Sequence, residues 1–165
     1  IRRQRQMCIR DRAFVIDDVA YICCGDNNGT LVDDLWKFDG SDWKQLRDIA
    51  NNDSDEDYDD DYAITRAGTV SFVIDGRGYI ATGTRSGVTS DYWVYDPEED
   101  LWYGDSDDDY TPMTNVHNVS SGGSSRSYAV SFSTGKRGFV LSGSSGTSYF
   151  DDVYELLPYE QEDVD

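Results

Sequence analysis

The chain has 165 residues, of which 38% are hydrophobic and 13% aromatic, and its formal net charge is −19 at pH 7. That length and aromatic content argue for one domain with a hydrophobic core and against a chain that is disordered throughout. A surface this acidic repels phosphate groups, which argues against nucleic acid and anionic lipid as partners and favours cations and basic ligands. No apolar run is long enough to predict a membrane span.

Residues 1–12 differ from the rest of the chain, because they hold five arginines and a single acidic residue, Asp11. The run Met7-Cys8-Ile9-Arg10-Asp11-Arg12 resembles translated sequencing-adapter sequence. We therefore interpret residues 1–12 as a non-native leader that replaces the start of the first repeat, and we assign no function to it.

From residue 13 onward, the chain contains three copies of one sequence pattern. The copies are 58 and 60 residues apart, counted between the phenylalanines at positions 14, 72 and 132. Each copy continues with an aromatic residue, a glycine and an aspartate at matching places: Tyr21, Gly25 and Asp34; Tyr79, Gly83 and Asp91; Phe139, Gly143 and Asp152. A fixed period of this length indicates a supersecondary unit that buries its apolar face only by stacking on its neighbours.

Each copy predicts four short strands, which are clearest in the second copy. The alternating run Val70–Ile74 predicts the first strand, and the turn Asp75–Gly78 leads to a second strand over Tyr79–Gly83. A loop rich in Gly, Ser and Thr precedes a third strand around Trp93, and a fourth strand is predicted at Trp102. Four antiparallel strands repeated in tandem are typical of a propeller blade, so the predicted fold class is all-β.

The second copy resembles the kelch repeat in the runs from Ser71 to Gly83 and from Asp91 to Trp102. The resemblance extends over residues 13–158 and is to the secreted kelch proteins of Bacteroidetes-type bacteria. Two departures are that the second strand is followed by one glycine, where many kelch repeats have two, and that the third copy has Tyr154 in place of Trp. The resemblance implies antiparallel, four-stranded kelch-type blades in a partial β-propeller.

The repeat boundaries divide the chain into three predicted blades. These blades cover residues 13–65, 66–125 and 126–158, and an acidic tail follows at residues 159–165. The first blade is incomplete at its N-terminal end, and the third lacks its fourth strand. Since kelch propellers close with more than three blades, we expect this chain to be the C-terminal part of a longer protein. The remaining blades of that full-length propeller are then among its expected partners.

The loops after the second strand and the connections between blades lie on one face of such a fold, and ligands bind there. The candidate residues are acids of two inter-blade connections and polar loop residues: Asp53, Asp55, Asp57, Asp59, Asp61, Asp105, Asp107, Asp109, Thr84, Arg85, Ser144 and Ser145. Clustered carboxylates suit Ca²⁺, although Tyr58 stands where an EF-hand loop from Asp53 needs glycine. The simpler interpretation is a solvated acidic loop, so Ca²⁺ is the one candidate cofactor and no metal site is assigned.

Arg66 and Arg126 stand at one position, six residues before the phenylalanine of their copies, where the first copy has Cys8. They either line an axial anion-binding pocket or hold an inter-blade hydrogen bond or ion pair, and we favour the second interpretation. The other repeated residues are predicted to be structural, with the tryptophans in the core between blades: Gly25, Gly83, Gly143, Trp36, Trp93 and Trp102.

Cys23 and Cys24 are adjacent in the predicted second strand of the first copy, so we expect their side chains on opposite faces. With Cys8, they are too few for a disulfide framework. We interpret them as small buried hydrophobic residues.

The sequence contains no nucleophile elbow, phosphate loop or metalloprotease motif, which favours a function without catalysis. Galactose oxidase, a kelch-like enzyme, needs paired His and Tyr copper ligands, and His117 is the single histidine. The resemblance implies a protein- or glycan-binding scaffold outside the cell or in the bacterial cell envelope. The alternatives are an enzyme resembling the sialic-acid mutarotases, whose sites use polar and basic loop residues, and an intracellular adaptor that presents partners for degradation.

Overall fold

The computed structural model describes residues 12–49, 64–104 and 124–156. Over these ranges the chain is all-β, with no helix. Its strands form two four-stranded sheets, one three-stranded sheet and two short two-stranded hairpins, and every pairing between named strands is antiparallel. The predicted all-β class is therefore confirmed, and so is the four-stranded sheet for two of the three repeats.

The first repeat provides six strands: β1 (Arg12–Ile16), β2 (Val19–Cys23), β3 (Asp26–Asn27), β4 (Thr30–Leu31), β5 (Leu35–Phe38) and β6 (Trp43–Gln45). Sheet one has the order β1-β2-β5-β6, and β3 and β4 pair with each other as a small hairpin between β2 and β5. β1 begins at Arg12, so sheet one includes the last residue of the leader predicted over residues 1–12.

The second repeat provides four strands: β7 (Val70–Ile74), β8 (Arg77–Thr84), β9 (Val88–Asp96) and β10 (Leu101–Gly104). They pair in chain order to form sheet two, which is a simple meander. The Asp75-Gly76 turn joins β7 to β8 with positive φ at both residues, 46° and 76°. This is the type I′ geometry that matches the twist of paired strands, so the turn fixes the register between β7 and β8.

The third repeat provides five strands: β11 (Val130–Ser133), β12 (Gly138–Leu141), β13 (Ser144–Ser145), β14 (Ser148–Tyr149) and β15 (Val153–Leu156). Sheet three has the order β11-β12-β15, and β13 and β14 form a hairpin between β12 and β15. This hairpin occupies the place of β3 and β4 in the first repeat and of the extended ends of β8 and β9 in the second.

Two apolar clusters lie between the three sheets. The first joins sheets one and two through buried side chains: Phe14, Ile16, Tyr21, Cys23, Cys24, Leu35, Ile49, Ile64, Ile80, Tyr95 and Trp102. The second joins sheets two and three through another set: Val70, Phe72, Ile74, Tyr79, Ala81, Tyr92, Val94, Ala129, Val140 and Leu156. Sheet two therefore packs on both of its faces, and its strands β8 and β9 contribute buried residues to both clusters, as the stacking argument from the repeat predicts.

One contact recurs at both junctions, between a phenylalanine of one sheet and a glycine of the next. The ring of Phe14 covers Gly78, where a Cβ atom would come within 2.2 Å of the ring, and the ring of Phe72 covers Gly138, where the distance would be 2.4 Å. A side chain at either glycine would occupy the volume of the ring. Packing therefore requires glycine at both positions, because only a residue without a side chain lets the aromatic ring lie directly on the backbone of the next sheet.

The first strands of the three sheets are linked by serine hydroxyls. Ser71 Oγ donates a hydrogen bond of 2.9 Å to the carbonyl of Ala13, and Ser131 Oγ donates one of 2.7 Å to the carbonyl of Ser71. The same repeat position thus forms the same contact at both junctions. These bonds set how far each sheet is displaced along its neighbour.

The structure departs from the sequence interpretation at two places. Gly78, which we assigned to a hairpin turn, lies within β8, and the equivalent Gly138 is the first residue of β12. Cys24, assigned to a strand, follows β2 and has a positive φ of 60°, so strand alternation does not apply to it. Cys23 and Cys24 both lie in the cluster between sheets one and two, so the expectation of opposite faces is wrong for this pair.

The aromatic–glycine contact predicts a strong asymmetry between two Gly→Ala substitutions. Gly78→Ala should lower the free energy of unfolding by about 1–3 kcal/mol, because the new methyl group overpacks the junction against Phe14. Gly87→Ala is the matched control, since nothing lies within 4 Å of its Cβ position, and its effect should stay within about 0.5 kcal/mol. Urea unfolding followed by tryptophan fluorescence measures both.

A second comparison separates this contact from a backbone effect at Gly78. In a Phe14→Leu background, the smaller side chain should reduce the effect of Gly78→Ala by about 1 kcal/mol. An undiminished effect in that background would show that the strand itself, rather than Phe14, requires glycine.

Candidate functional site

The two repeated arginines are buried and bind aspartates of their own sheets. Arg66 Nη1 and Nη2 donate to the two carboxylate oxygens of Asp91 at 2.9 and 2.6 Å. Arg66 Nη1 also donates to the carbonyl of Thr82 at 3.1 Å, and Nε donates to the carbonyl of Ile64 at 3.0 Å. The arginine is 0% exposed. Its bidentate ion pair and its hydrogen bonds to carbonyl groups compensate for removing the positive charge from water.

Arg126 repeats the arrangement in sheet three. Its Nη1 and Nη2 donate to the carboxylate oxygens of Asp152 at 2.6 and 3.0 Å, and Nη1 donates to the carbonyl of Ser142 at 2.8 Å. The guanidinium also lies over the rings of Phe150 and Tyr154, with 4.5 and 4.8 Å between its carbon and the ring centroids. These cation–π contacts, together with the hydrogen bonds, hold the Arg126 side chain in place.

The backbone of each arginine contacts the preceding sheet. The carbonyl of Arg66 accepts a hydrogen bond of 2.9 Å from the amide of Gly25, and the carbonyl of Arg126 accepts one of 2.8 Å from Gly83. The side chain thus stays in its own sheet while the main chain bonds to the neighbour. Of the two roles considered for these arginines, the described geometry matches an ion pair, but one formed within a sheet.

The ion pair affects the ionisation of both aspartates. Burial works to raise the pKa of Asp91, but the hydrogen bond and the positive charge of Arg66 outweigh it and hold that pKa below its ordinary value. The hydrogen bond from Arg126 is the main cause of a lowered pKa at Asp152. Both carboxylates are therefore charged at neutral pH and serve the arginines rather than proton transfer.

The glycine after the second strand belongs to a repeated left-handed turn. Thr82 and Gly83 have φ values of 59° and 107°, and the equivalent pairs at 24–25 and 142–143 are also positive. At Gly83 a Cβ atom would lie 2.9 Å from the carbonyl of Ala67, so glycine is required there by space and by conformation. Thr82 has a strained backbone, because threonine rarely adopts a left-handed conformation. A glycine at position 82 would adopt the same conformation without strain.

The polar loop residues proposed as a ligand face lie at the ends of the second strands. Thr84 and Ser144 are equivalent, and each forms a backbone bridge to the segment that begins its repeat. Arg85 and Ser145 follow them, and Arg85 is exposed at the turn between β8 and β9. The first strands of neighbouring sheets bond to each other at equivalent repeat positions, so the three sheets run in the same direction. The turns that follow the second strands therefore lie together at one end of the stack.

Sequence reasoning missed Tyr149, which is 86% exposed in β14. A single exposed aromatic ring is ordinary on a protein surface, so Tyr149 is a candidate because of its place in the loop hairpin, where it pairs with Ser144. Its signal in the sequence was weak, since a tyrosine in a Ser/Thr/Gly loop is equally consistent with a folded-back ring.

Several predicted ligand-face residues lie outside the described ranges: Asp53, Asp55, Asp57, Asp59, Asp61, Asp105, Asp107 and Asp109. The structure therefore does not test the acidic connections or their Ca²⁺ binding. Within the described ranges, no three His, Cys, Asp or Glu side chains group as potential metal ligands. None of the described residues belongs to a helix long and apolar enough to cross a membrane.

The repeated tryptophans occupy different environments. Trp102 is 1% exposed in the cluster between sheets one and two. Trp36 and Trp93 are partly buried, and each donates its indole N–H to the aspartate two residues before it, at 2.6 Å to Asp34 and 3.2 Å to Asp91. These contacts orient the aspartates, one of which binds Arg66.

Comparison of the sequence with protein-family models and with curated proteins finds no match.

The Arg66–Asp91 pair predicts an acid-sensitive contribution to stability. Because the folded-state pKa of Asp91 is lowered, the pair contributes fully above the ordinary aspartate pKa, near 4, and this contribution is lost as the pH falls through the lower folded value. Asp91→Asn should lower the free energy of unfolding by about 2–3 kcal/mol at pH 7, because Arg66 keeps its burial without its counterion. The difference between wild type and variant should shrink between pH 5 and 2.

Glu155→Gln is the control for that series. Glu155 pairs with Arg137 at the surface, where the arginine side chain is 53% exposed, so its removal should change stability by at most about 1 kcal/mol. Chemical denaturation at each pH measures both variants. An Asp91→Asn effect no larger than that of Glu155→Gln would refute a structural ion pair.

The strained turn predicts that one Thr→Gly substitution stabilises the fold. Thr82 has a left-handed backbone, and no described residue bonds its buried hydroxyl. Thr82→Gly should therefore raise the free energy of unfolding by about 1 kcal/mol, after allowing for the added flexibility of the unfolded chain. Thr84→Gly, two residues on in the same strand, should lower it by about 1 kcal/mol. Thermal melts decide the sign.

Proposed function

We propose that this chain forms part of a kelch-type β-propeller that binds a protein or glycan ligand without catalysis, at the outer surface or in the envelope of a bacterial cell. The loop ends and the acidic connections between sheets form the ligand face in this proposal. The remaining sheets of the ring belong to a longer form of the protein or to a partner.

The observation that carries the proposal is the stacking of three equivalent sheets through one repeated junction. The contacts of Phe14 with Gly78 and of Phe72 with Gly138 place consecutive sheets in the same relation to each other. A constant relation between neighbours is what a ring of blades requires. It also brings the loops of each repeat to one end, where a single ligand can contact several of them.

The exposed side chains at that end support a binding surface. Arg85 offers a guanidinium for hydrogen bonding, and Tyr149 offers an open ring for stacking. An aromatic ring with nearby hydroxyls and charged groups suits sugar faces and protein hot spots alike. Ser144 and Ser145 supply hydroxyls beside Tyr149, since Ser144 pairs with it in the β13–β14 hairpin.

An enzyme similar to the sialic-acid mutarotases is the alternative, and the arginine geometry makes it the weaker one. Such a site needs cationic side chains that meet a carboxylate substrate. Arg66 and Arg126 are 0% and 1% exposed, and both hold internal carboxylates. Arg85 is exposed at the loop end of sheet two, so this alternative can still use it. Polarimetry of N-acetylneuraminic acid with and without the protein tests it directly, and we expect no acceleration.

A glycan array, followed by calorimetry on its best ligand, tests the ligand face. Arg85→Ala and Tyr149→Ala should each weaken binding about tenfold or more, as expected for residues at the centre of an interface. Their melting temperatures should stay unchanged, because both side chains are exposed. Lys136→Ala, in the turn at the opposite end of sheet three, is the control and should bind as wild type.

Two results would redirect the proposal. Binding that is lost equally in Lys136→Ala and Tyr149→Ala would mean that the ligand does not use the loop end. An array without ligands, together with capture of defined envelope proteins that depends on Tyr149, would restrict the ligand to protein.

A further inference from the structure

In the described part of the chain, the outer face of sheet three is exposed, a bare face where the same face of the other two sheets is covered. Phe132 is 49% exposed, whereas the equivalent Phe14 and Phe72 are 4% and 5% exposed. Val130 is 62% exposed, against 2% for its counterpart Val70. Val153 is 57% exposed, and the residues at its position in sheets one and two are 1% exposed: Leu35 and Tyr92.

This bare face is preformed for the contact made at the other two junctions. Phe132 stacks on Phe139 with 4.6 Å between ring centroids, as Phe72 stacks on Tyr79 at 5.5 Å. The aromatic pair that covers a glycine backbone in the neighbouring sheet is therefore in place on sheet three. What would complete the junction is a strand that presents glycine at the position of Gly78 and Gly138.

The first sheet of this chain does not present that glycine. Ala20 directly precedes Tyr21 in β2, as Gly78 precedes Tyr79 in β8. The face of sheet one that carries Ala20 is apolar in other respects, because Val15 is 57% exposed and Trp43, stacked on Phe38, is 54% exposed. Two complementary apolar faces thus lie at opposite ends of the stack, and the Ala20 methyl group stands where the ring of Phe132 would rest.

We propose that the outer face of sheet three docks one further antiparallel sheet of this repeat, whose second strand has glycine before its first aromatic residue. Ala20 disfavours the docking of a second copy of this chain through its own sheet one. The continuity of the two existing junctions identifies the occupant. Heterologous association of a chain with its own copies leads to rings or open filaments, which this single methyl group opposes.

The inference rests on the packing part of the proposed function and is independent of any ligand. Its failure and the failure of ligand binding are therefore separable, because the glycan measurements use the chain without a docked partner.

A donor variant of this chain tests the proposal. The variant Ala20→Gly with Phe132→Ala presents the glycine but has lost its own docking ring, and it is mixed with wild type, which supplies Phe132. Sedimentation velocity should detect a one-to-one complex with wild type. The matched donor that keeps Ala20 and carries only Phe132→Ala should bind wild type at least tenfold more weakly.

Two controls vary the side chain at position 20 of the donor and the Phe132 ring of the acceptor. An Ala20→Val donor should bind still more weakly than the Ala20 donor, while circular dichroism verifies that each donor is folded. When Phe132→Ala replaces wild type as the acceptor, the complex with the glycine donor should disappear.

Three results would overturn the proposal. One is a glycine donor that binds no more tightly than the alanine donor. Another is a complex that survives loss of Phe132 on the acceptor. The third is wild type that associates with itself as strongly as it associates with the glycine donor.

Discussion

The fold depends on laying an aromatic ring of one sheet on the bare backbone of the next. Phe14 and Phe72 each bury their rings against a glycine, which brings the sheets close enough for serine hydroxyls to bond across the first strands. A sheet covered on both faces has no solvated side, and this explains why β8 and β9 of sheet two carry buried apolar residues on both faces. The hydrophobic area buried between sheets supplies the main driving force, and the glycines determine where it is buried.

The buried ion pairs connect this packing to the chain path. Arg66 binds Asp91 within its own sheet while its carbonyl accepts from Gly25 of the preceding sheet. A buried ion pair is weak evidence for stability by itself, because desolvation offsets much of the attraction. Its geometric effect is clearer, since the bidentate contact fixes the segment that enters each sheet. In the first repeat the sequence has Cys8 at the arginine position, so among the described repeats this ion pair belongs to the second and the third.

The sequence predicted those features that depend on neighbouring residues. Alternation and an Asp-Gly turn gave β7 with the observed bounds, Val70–Ile74, because both signals are local. The pairing of Arg66 with Asp91 was not predicted, since 25 residues separate them and a repeated position does not reveal its partner. Gly78 was assigned to the turn because turn chemistry and close packing both select glycine. The exposed ring of Tyr149 depends on tertiary structure and has no local signal.

Differences among the repeats carry the functional argument further than their similarities do. Identical repeats would stack on copies of themselves without limit, because every outer face would fit every inner face. Here the fit differs between ends: sheet three keeps the ring, and sheet one has a methyl group where the ring needs space. A single CH₃ group is a small change for the stability of sheet one, yet it acts at the centre of a close-packed junction, where volume changes are felt most strongly. Specificity in this fold therefore follows from the same packing constraint that holds its sheets together.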